Sequence, residues 1–173
     1  MEILRLGNEL LHQKAQPVKQ IGPEQQKIAA DLLKALHDGK GIGLAGPQIG
    51  IMERIFVIHI EGGAPHVFIN PSIIETSQEL AKYEEGCLSI PGFYADIVRP
   101  VKIKVQAWNE AGRPFTLEVS GLPARVILHE YDHLDGILFI DRLPEEKKKR
   151  YMAKLERISS RKNKSAPENK SNA

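Results

Sequence analysis

Two histidines four residues apart carry the clearest chemistry in this 173-residue chain, in the run His129-Glu130-Tyr131-Asp132-His133. At 3.6 residues per turn, positions i and i+4 of a helix share a face, so both imidazoles can grip one metal ion. Glu130 then stands within reach of a water activated by that ion and can act as its base. Such a pair needs a third ligand. The extended histidine motif of one metallopeptidase class finds its glycine at Gly136, but Phe139 occupies the place of its last histidine. Another class takes a glutamate from a later helix; Glu145, Glu146 and Glu156 are available, in a segment so charged that solvated carboxylates are expected there. The remaining candidate is Cys87. A lone cysteine ordinarily packs as a small hydrophobe. Here Glu85 and Ser89 are polar neighbours, and Gly86 lets a backbone come close. One thiolate and two imidazoles would leave a tetrahedral site with one open position.

The elements that must hold these residues can be read from periodicity. From Leu122 onward the spacing is helical, with Val126, Ile127, Tyr131 and Leu134 on one broad apolar face, and Asp135-Gly136 ends that helix. An earlier helix opens at Pro23, buries Ile28, Leu32 and Leu36, and stops at Gly39. Residues 1–22 read as irregular. β-Branched and aromatic runs at 54–60 and 66–70 form a hairpin around a Gly- and Pro-containing turn. Further strands are expected within 71–83, at 101–108 and 114–119, and as a short piece at 137–140. A last helix starts near Pro144-Glu145-Glu146, with Tyr151, Met152, Leu155 and Ile158 as its seam. Residues 161–173 lack periodicity and read as a basic, disordered tail. The expectation is an α+β fold, a single domain over 1–160, with antiparallel strands around the helix bearing His129 and His133 and a further helix near the C-terminus. His12 and His37 have no partner at ligand spacing, and His59 and His66, in or beside strands, read as packed or solvated residues rather than ligands.

Between the first helix and first strand lies Gly39-Lys40-Gly41-Ile42-Gly43-Leu44-Ala45-Gly46-Pro47-Gln48-Ile49-Gly50. It is not a phosphate loop, because it lacks a Gly-Lys-Ser/Thr end, and the third glycine of a dinucleotide motif is absent. Taken alone it reads as a tight surface turn.

Hydrophobic residues make up 42% of the chain, enough for one core. The formal net charge of +2 is unevenly divided: residues 145–173 hold ten Lys/Arg and four Asp/Glu, so residues 1–144 are net negative. That excludes a nucleic-acid footprint spread over the whole domain. A single cysteine forms no intrachain disulfide, there is no basic-then-apolar leader, and no run approaches the roughly 18 apolar residues of a membrane span. A cytoplasmic protein is expected.

Three stretches together resemble peptide deformylase, in the family's order: Gly41-Ile42-Gly43-Leu44-Ala45-Gly46-Pro47-Gln48, Glu85-Gly86-Cys87-Leu88-Ser89 and His129-Glu130-Tyr131-Asp132-His133. The resemblance implies removal of the formyl group from N-terminal formyl-methionine of new polypeptides. It implies one divalent metal, Fe²⁺ by the family's habit although Zn²⁺, Ni²⁺ or Co²⁺ would suit the ligands, held by Cys87, His129 and His133. Glu130 would be the base and proton shuttle, with the Gln48 side chain and the Leu88 backbone N–H as oxyanion donors. Ile42, Gly43 and Gly86 would line the bound peptide, which adds as a strand. An ion pair between Glu85 and Arg99 beside Cys87 is implied too, and Asp132 either orients a ligand histidine or is solvated. Gly46 replaces the family's usual alanine, Leu128 its frequent glutamine, and 93–96 is less typical. Neither replacement removes a ligand or the base. The resemblance further suggests that the basic C-terminal helix docks on the ribosome, where its charges would suit RNA phosphates. Two other readings are a zinc endopeptidase and a non-catalytic metal-stabilised binding module. The missing third histidine counts against the first, and Glu130 with Gln48, which a structural metal does not need, against the second.

Overall fold

Pro23 opens the first helix, α1 (Pro23–Asp38), where its missing N–H is harmless, and the Gln25 side chain accepts from the Gly22 N–H at 3.1 Å. Its buried face is Ile28, Ala29, Leu32, Ala35 and Leu36. These pack with Ile55, Val57, Val67 and Ile69 of strands β2 (Ile55–Ile58) and β3 (His66–Thr76). Phe56, Ile58 and Phe68, the alternate residues of the same strands, join a second cluster with Ala124, Val126, Ile127 and Leu134 of helix α2 (Leu122–Leu134). The period of two thus sends one side-chain set to each helix. All four residues of β2 are buried, which explains its unbroken apolar sequence.

The computed structural model describes residues 1–164. Five antiparallel strands form one sheet in the order β1-β2-β3-β6-β7, where β1 is Gly43–Ala45, β6 Lys102–Trp108 and β7 Pro114–Ser120. β4 (Leu80–Cys87) and β5 (Ile90–Pro100) make a separate two-stranded sheet. The α+β expectation, with antiparallel strands around the histidine-bearing helix and a further helix α3 (Glu145–Lys164), is borne out. The chain divides into two compact units, Met1–Phe139, which holds all seven strands and α1 and α2, and a second from Ile140 onward, which holds α3.

Several local expectations change. One turn of 3₁₀ helix, Glu9–His12, interrupts the irregular N-terminus. β3 does not stop at Asn70 but runs through Pro71 to Thr76. The register shifts between Ile69 and Ser72, and a proline at a bulge breaks no ladder bond. Asn70 takes a φ of +48°, and its side chain clamps the Val18 N–H and C=O at 2.8 and 2.9 Å. The long β5 is absent from the sequence reading. Its buried positions Phe93, Ala95, Ile97 and Arg99 do alternate, but Pro91-Gly92 and a buried arginine disguise the pattern. Residues 137–140 form no strand: 137 and 138 are irregular and Phe139–Arg142 is a 3₁₀ turn. A four-residue apolar run signals burial, not the kind of backbone, and Leu138, Phe139 and Ile140 are fully buried. α3 runs four residues into the expected tail, and just before it the Ser160 hydroxyl donates to the Glu156 carbonyl. The tail from 165 to 173 lies outside the described residues.

His37 and His59 do find a partner, each other, at 2.7 Å. His59 Nε2–H donates to the Gly63 carbonyl, so its Nδ1 accepts from His37 Nε2.

Candidate active site

Gly121, at φ +68°, turns the chain from β7 into α2, and Pro123 occupies its first turn. The helix face then repeats every four residues as Arg125, His129 and His133, all buried. At its far end Gly136, at φ +72°, packs so tightly that a Cβ there would lie 2.6 Å from the His12 backbone. Arg54 Nη1 donates to the last-turn carbonyl of Leu134 at 3.1 Å and to Asp135 at 2.9 Å.

Cys87 reaches the histidines from the end of β4. The ligand atoms of Cys87, His129 and His133 all lie within 4.8 Å of one another, and Cys87 Sγ is 3.4 Å from His133 Nε2. Glu130 is buried in the same place, and its Oε2 has no hydrogen-bond partner among the described residues, nor has His133 Nδ1. One sulfur and two nitrogens, with a free buried carboxylate oxygen beside them, fit a catalytic divalent metal and a water.

Gln48 enters from the glycine-rich segment, now seen as β1 followed by the 3₁₀ turn Gly46–Ile49. The Ala45 N–H donates to its Oε1 at 2.9 Å, which points its Nε2 toward Ser89 Oγ at 3.1 Å and Cys87 Sγ at 3.5 Å. The glycines make room for neighbours. A Cβ on Gly43 would meet Glu130 Oε1 at 2.5 Å, and one on Gly41 would meet the Leu88 side chain at 2.7 Å. A cavity of about 510 Å³ runs past Ile42, Gly43, Gly86, Leu88, His129 and Glu130. Among the described residues β1 pairs with β2 alone and is a sheet edge, so the segment is not the surface turn that its sequence suggests in isolation.

Behind Cys87, His129 and His133 stands a buried charge cluster. Arg99 meets Glu85 through two nitrogens, Nε–Oε1 at 2.6 Å and Nη2–Oε2 at 3.0 Å, and Asp132 through Nη1 at 2.9 Å. The expected Glu85–Arg99 pair is present, and Asp132 is buried on Arg99 rather than solvated. His129 Nδ1 lies 3.0 Å from Glu85 Oε2. The sequence reading missed Arg125, which also bonds to Glu85 at 2.7 Å. The available signal was a cation one turn before His129 on a helix face otherwise set for burial.

The surroundings tune these groups. Burial pushes Glu85 up, but its bonds to His129 and Arg99 and the Arg99 charge outweigh that and hold it far below the usual carboxylate range. Burial likewise opposes the charged form of His129, yet Cys87, Glu85 and the Glu130 charge raise it well above an ordinary imidazole. Burial, then the charges of His129 and Arg99, keeps His133 neutral. Burial raises Glu130 to about 7, with Glu85 and Asp132 adding to it against the pull of His129 and Arg99.

The polypeptide deformylase family model matches residues 1–149, a span that contains every one of these side chains. The chain belongs to the polypeptide deformylase family. It is 43% identical over 150 residues to a peptide deformylase of Picosynechococcus, covering 84% of this chain and 80% of that one. It is also 43% identical over 159 residues to the peptide deformylase of Neisseria meningitidis, covering 91% and 95%. The crystal structure of a peptide deformylase from Legionella pneumophila superposes with a TM-score of 0.86 at 36% identity, over 96% of this chain and 98% of the other. Membership of that family makes the chain a metal-dependent amide hydrolase.

Proposed function

We propose that this chain hydrolyses the formyl amide of formyl-methionyl polypeptides at the cavity between β1 and α2, releasing formate. One observation carries the reading: Cys87, His129 and His133 converge within 4.8 Å, beside the partnerless Oε2 of Glu130.

Cys87, His129 and His133 would hold the metal, which when bound acts as a Lewis acid that lowers the pKa of water and polarises the formyl oxygen. Glu130 Oε2 takes the proton of the attacking water and passes it to the departing amine. Burial raises the Glu130 carboxyl in the metal-free fold, which favours holding a proton there. Gln48 Nε2 and the Leu88 N–H donate to the oxygen on which charge develops. The peptide backbone adds to the open edge of β1 at Ile42 and Gly43, with Gly86 opposite. Glu85 fixes the His129 ring through Nδ1, leaving Nε2 free to ligate.

Fe²⁺ is the proposed metal, supported by the mixed thiolate–imidazole donor set and the family resemblance; Zn²⁺, Ni²⁺ and Co²⁺ suit the same donors. The catalytic domain is proposed to span residues 1–160. A cytoplasmic location is proposed on the unpaired Cys87. No helix among the described residues is long and apolar enough to cross a membrane. The ribosome is proposed as a partner of α3, whose Lys147, Lys149 and Arg150 are accessible cations. Ribosome co-sedimentation unchanged on neutralising Lys147–Arg150 would overturn that partner.

The test is formate release from a formyl-Met dipeptide by anaerobically prepared protein, with metal content measured on the same sample. Release with about one metal per chain is expected. Cleavage of unformylated proteins would favour an endopeptidase, and bound metal without either activity a structural module.

A further inference from the structure

Cys87 sits on a sheet that, among the described residues, forms no ladder with the other strands, since β4 pairs there with β5 alone. A two-stranded hairpin is marginally stable by itself. Whatever fastens this hairpin to α2 therefore sets the distance from Cys87 to His129 and His133. Apart from the approach of Cys87 to His133, the polar ties among the described residues include Glu85 to His129, Arg99 to Asp132, and a third that is broader than either.

The third is Arg125. Its Nη1 donates to Glu85 Oε1 at 2.7 Å and to the Ile97 carbonyl at 2.9 Å, and its Nη2 donates to the Ala81 carbonyl at 2.8 Å. Ala81 and Glu85 belong to β4 and Ile97 to β5, so one guanidinium spans both strands from the helix that carries the histidines. The group lies 5.6 Å from the Tyr83 ring centroid, and the side chain is only 10% exposed. A planar fork with several fixed donors can do this; an ammonium on a flexible stem cannot span the same acceptors.

We infer that Arg125 is a positioning residue that pins the β4–β5 hairpin to α2 and thereby keeps Cys87 in register with His129 and His133. It touches no reacting atom. The inference rests on the proposed assignment of those three residues as metal ligands.

The test uses the full-length chain loaded with Co²⁺, whose thiolate-to-metal absorption band reports ligation by Cys87. Arg125→Met keeps the apolar stem and removes the fork. It should fold, weaken or shift that band, and release metal to a chelator about 10-fold faster or more, the scale of a lost outer hydrogen bond at a metal site. Arg125→Lys keeps the charge but cannot bridge both strands, and should release metal at an intermediate rate. A folded Arg125→Met with the wild-type band and release rate overturns the inference. Should that variant not fold, Arg125→Lys decides: faster release supports the inference, and wild-type release overturns it. Cys87→Ala separates the two levels. It should abolish the band, and a band that survives there refutes the ligand assignment itself, whatever the arginine variants do.

Discussion

Nδ1 of His129 lies 3.0 Å from the carboxylate of Glu85, and that carboxylate is itself gripped by Arg99 and Arg125. Glu85 thus joins the strand that carries Cys87 to the helix that carries the histidines. Glu85→Gln leaves a buried arginine short of its counter-charge. Breaking one partner of such a pair costs roughly 3–5 kcal/mol. Urea unfolding should show a loss of that order, and metal affinity should fall about 10- to 100-fold as His129 loses its orienting partner.

Gly43 shapes the site through the side chain it lacks. A Cβ there would fall 2.5 Å from Glu130 Oε1 and 2.9 Å from its Cδ and Cγ, atoms of a side chain rather than of backbone. Gly43→Ala should therefore fold with near-normal stability but displace the carboxylate. A shift of about 1 Å in a reacting group can lower turnover about 100-fold. Comparison of kcat with the thermal midpoint checks this, and parallel losses in both would contradict it.

Glu130→Gln removes the proposed base and keeps the volume. Formate release should fall by about 10²–10⁴ with metal content unchanged. The metal-free protein should respond in the opposite sense. Glu130 has its pKa raised in the fold from 4.5 to about 7, so its contribution favours the fold at low pH and is lost as pH rises through about 7. At pH 8 the metal-free variant should thus be more stable than wild type by roughly 3 kcal/mol. The gap should close by pH 4.5. Urea titrations at the two pH values measure it.

Acid should act twice. Glu85 is depressed in the fold from its ordinary 4.5, so its stabilisation is complete above that value and is lost as pH falls below it. Metal should leave earlier. His129 without metal favours its protonated form, and a proton there competes directly with the ion. Dialysis at pH 5.5 should strip more metal than dialysis at pH 7.5, with the circular dichroism of the helices and sheets preserved in both. Equal retention at the two values would exclude proton competition at His129.

Much of this protein is local and can be read directly. α1 and α2 declare themselves through apolar spacing, a proline at the start and a glycine at the end. The β2–β3 and β6–β7 hairpins do so through β-branched runs around turn residues. His129, Glu130 and His133 are legible for the same reason: four residues on a helix fix their common face before any tertiary contact forms.

What the sequence left open depends on pairing between distant segments. Cys87 could be reached only by exclusion and by resemblance, because its 3.4 Å approach to His133 is made across 46 residues by a hairpin half of which, β5, is hidden by Pro91-Gly92 and a buried Arg99. Whether the glycine-rich segment is a surface turn or a sheet edge is decided by β2 lying on one side of β1 and, among the described residues, no strand on the other. The sequence leaves Asp132 open between orienting a histidine and being solvated, and gives Arg125 no role, until Arg99 and Glu85 arrive to pair with them in the interior. Local periodicity fixes which face a side chain takes. Only the tertiary structure decides what that face meets, since burial and a charged partner come from elsewhere in the chain.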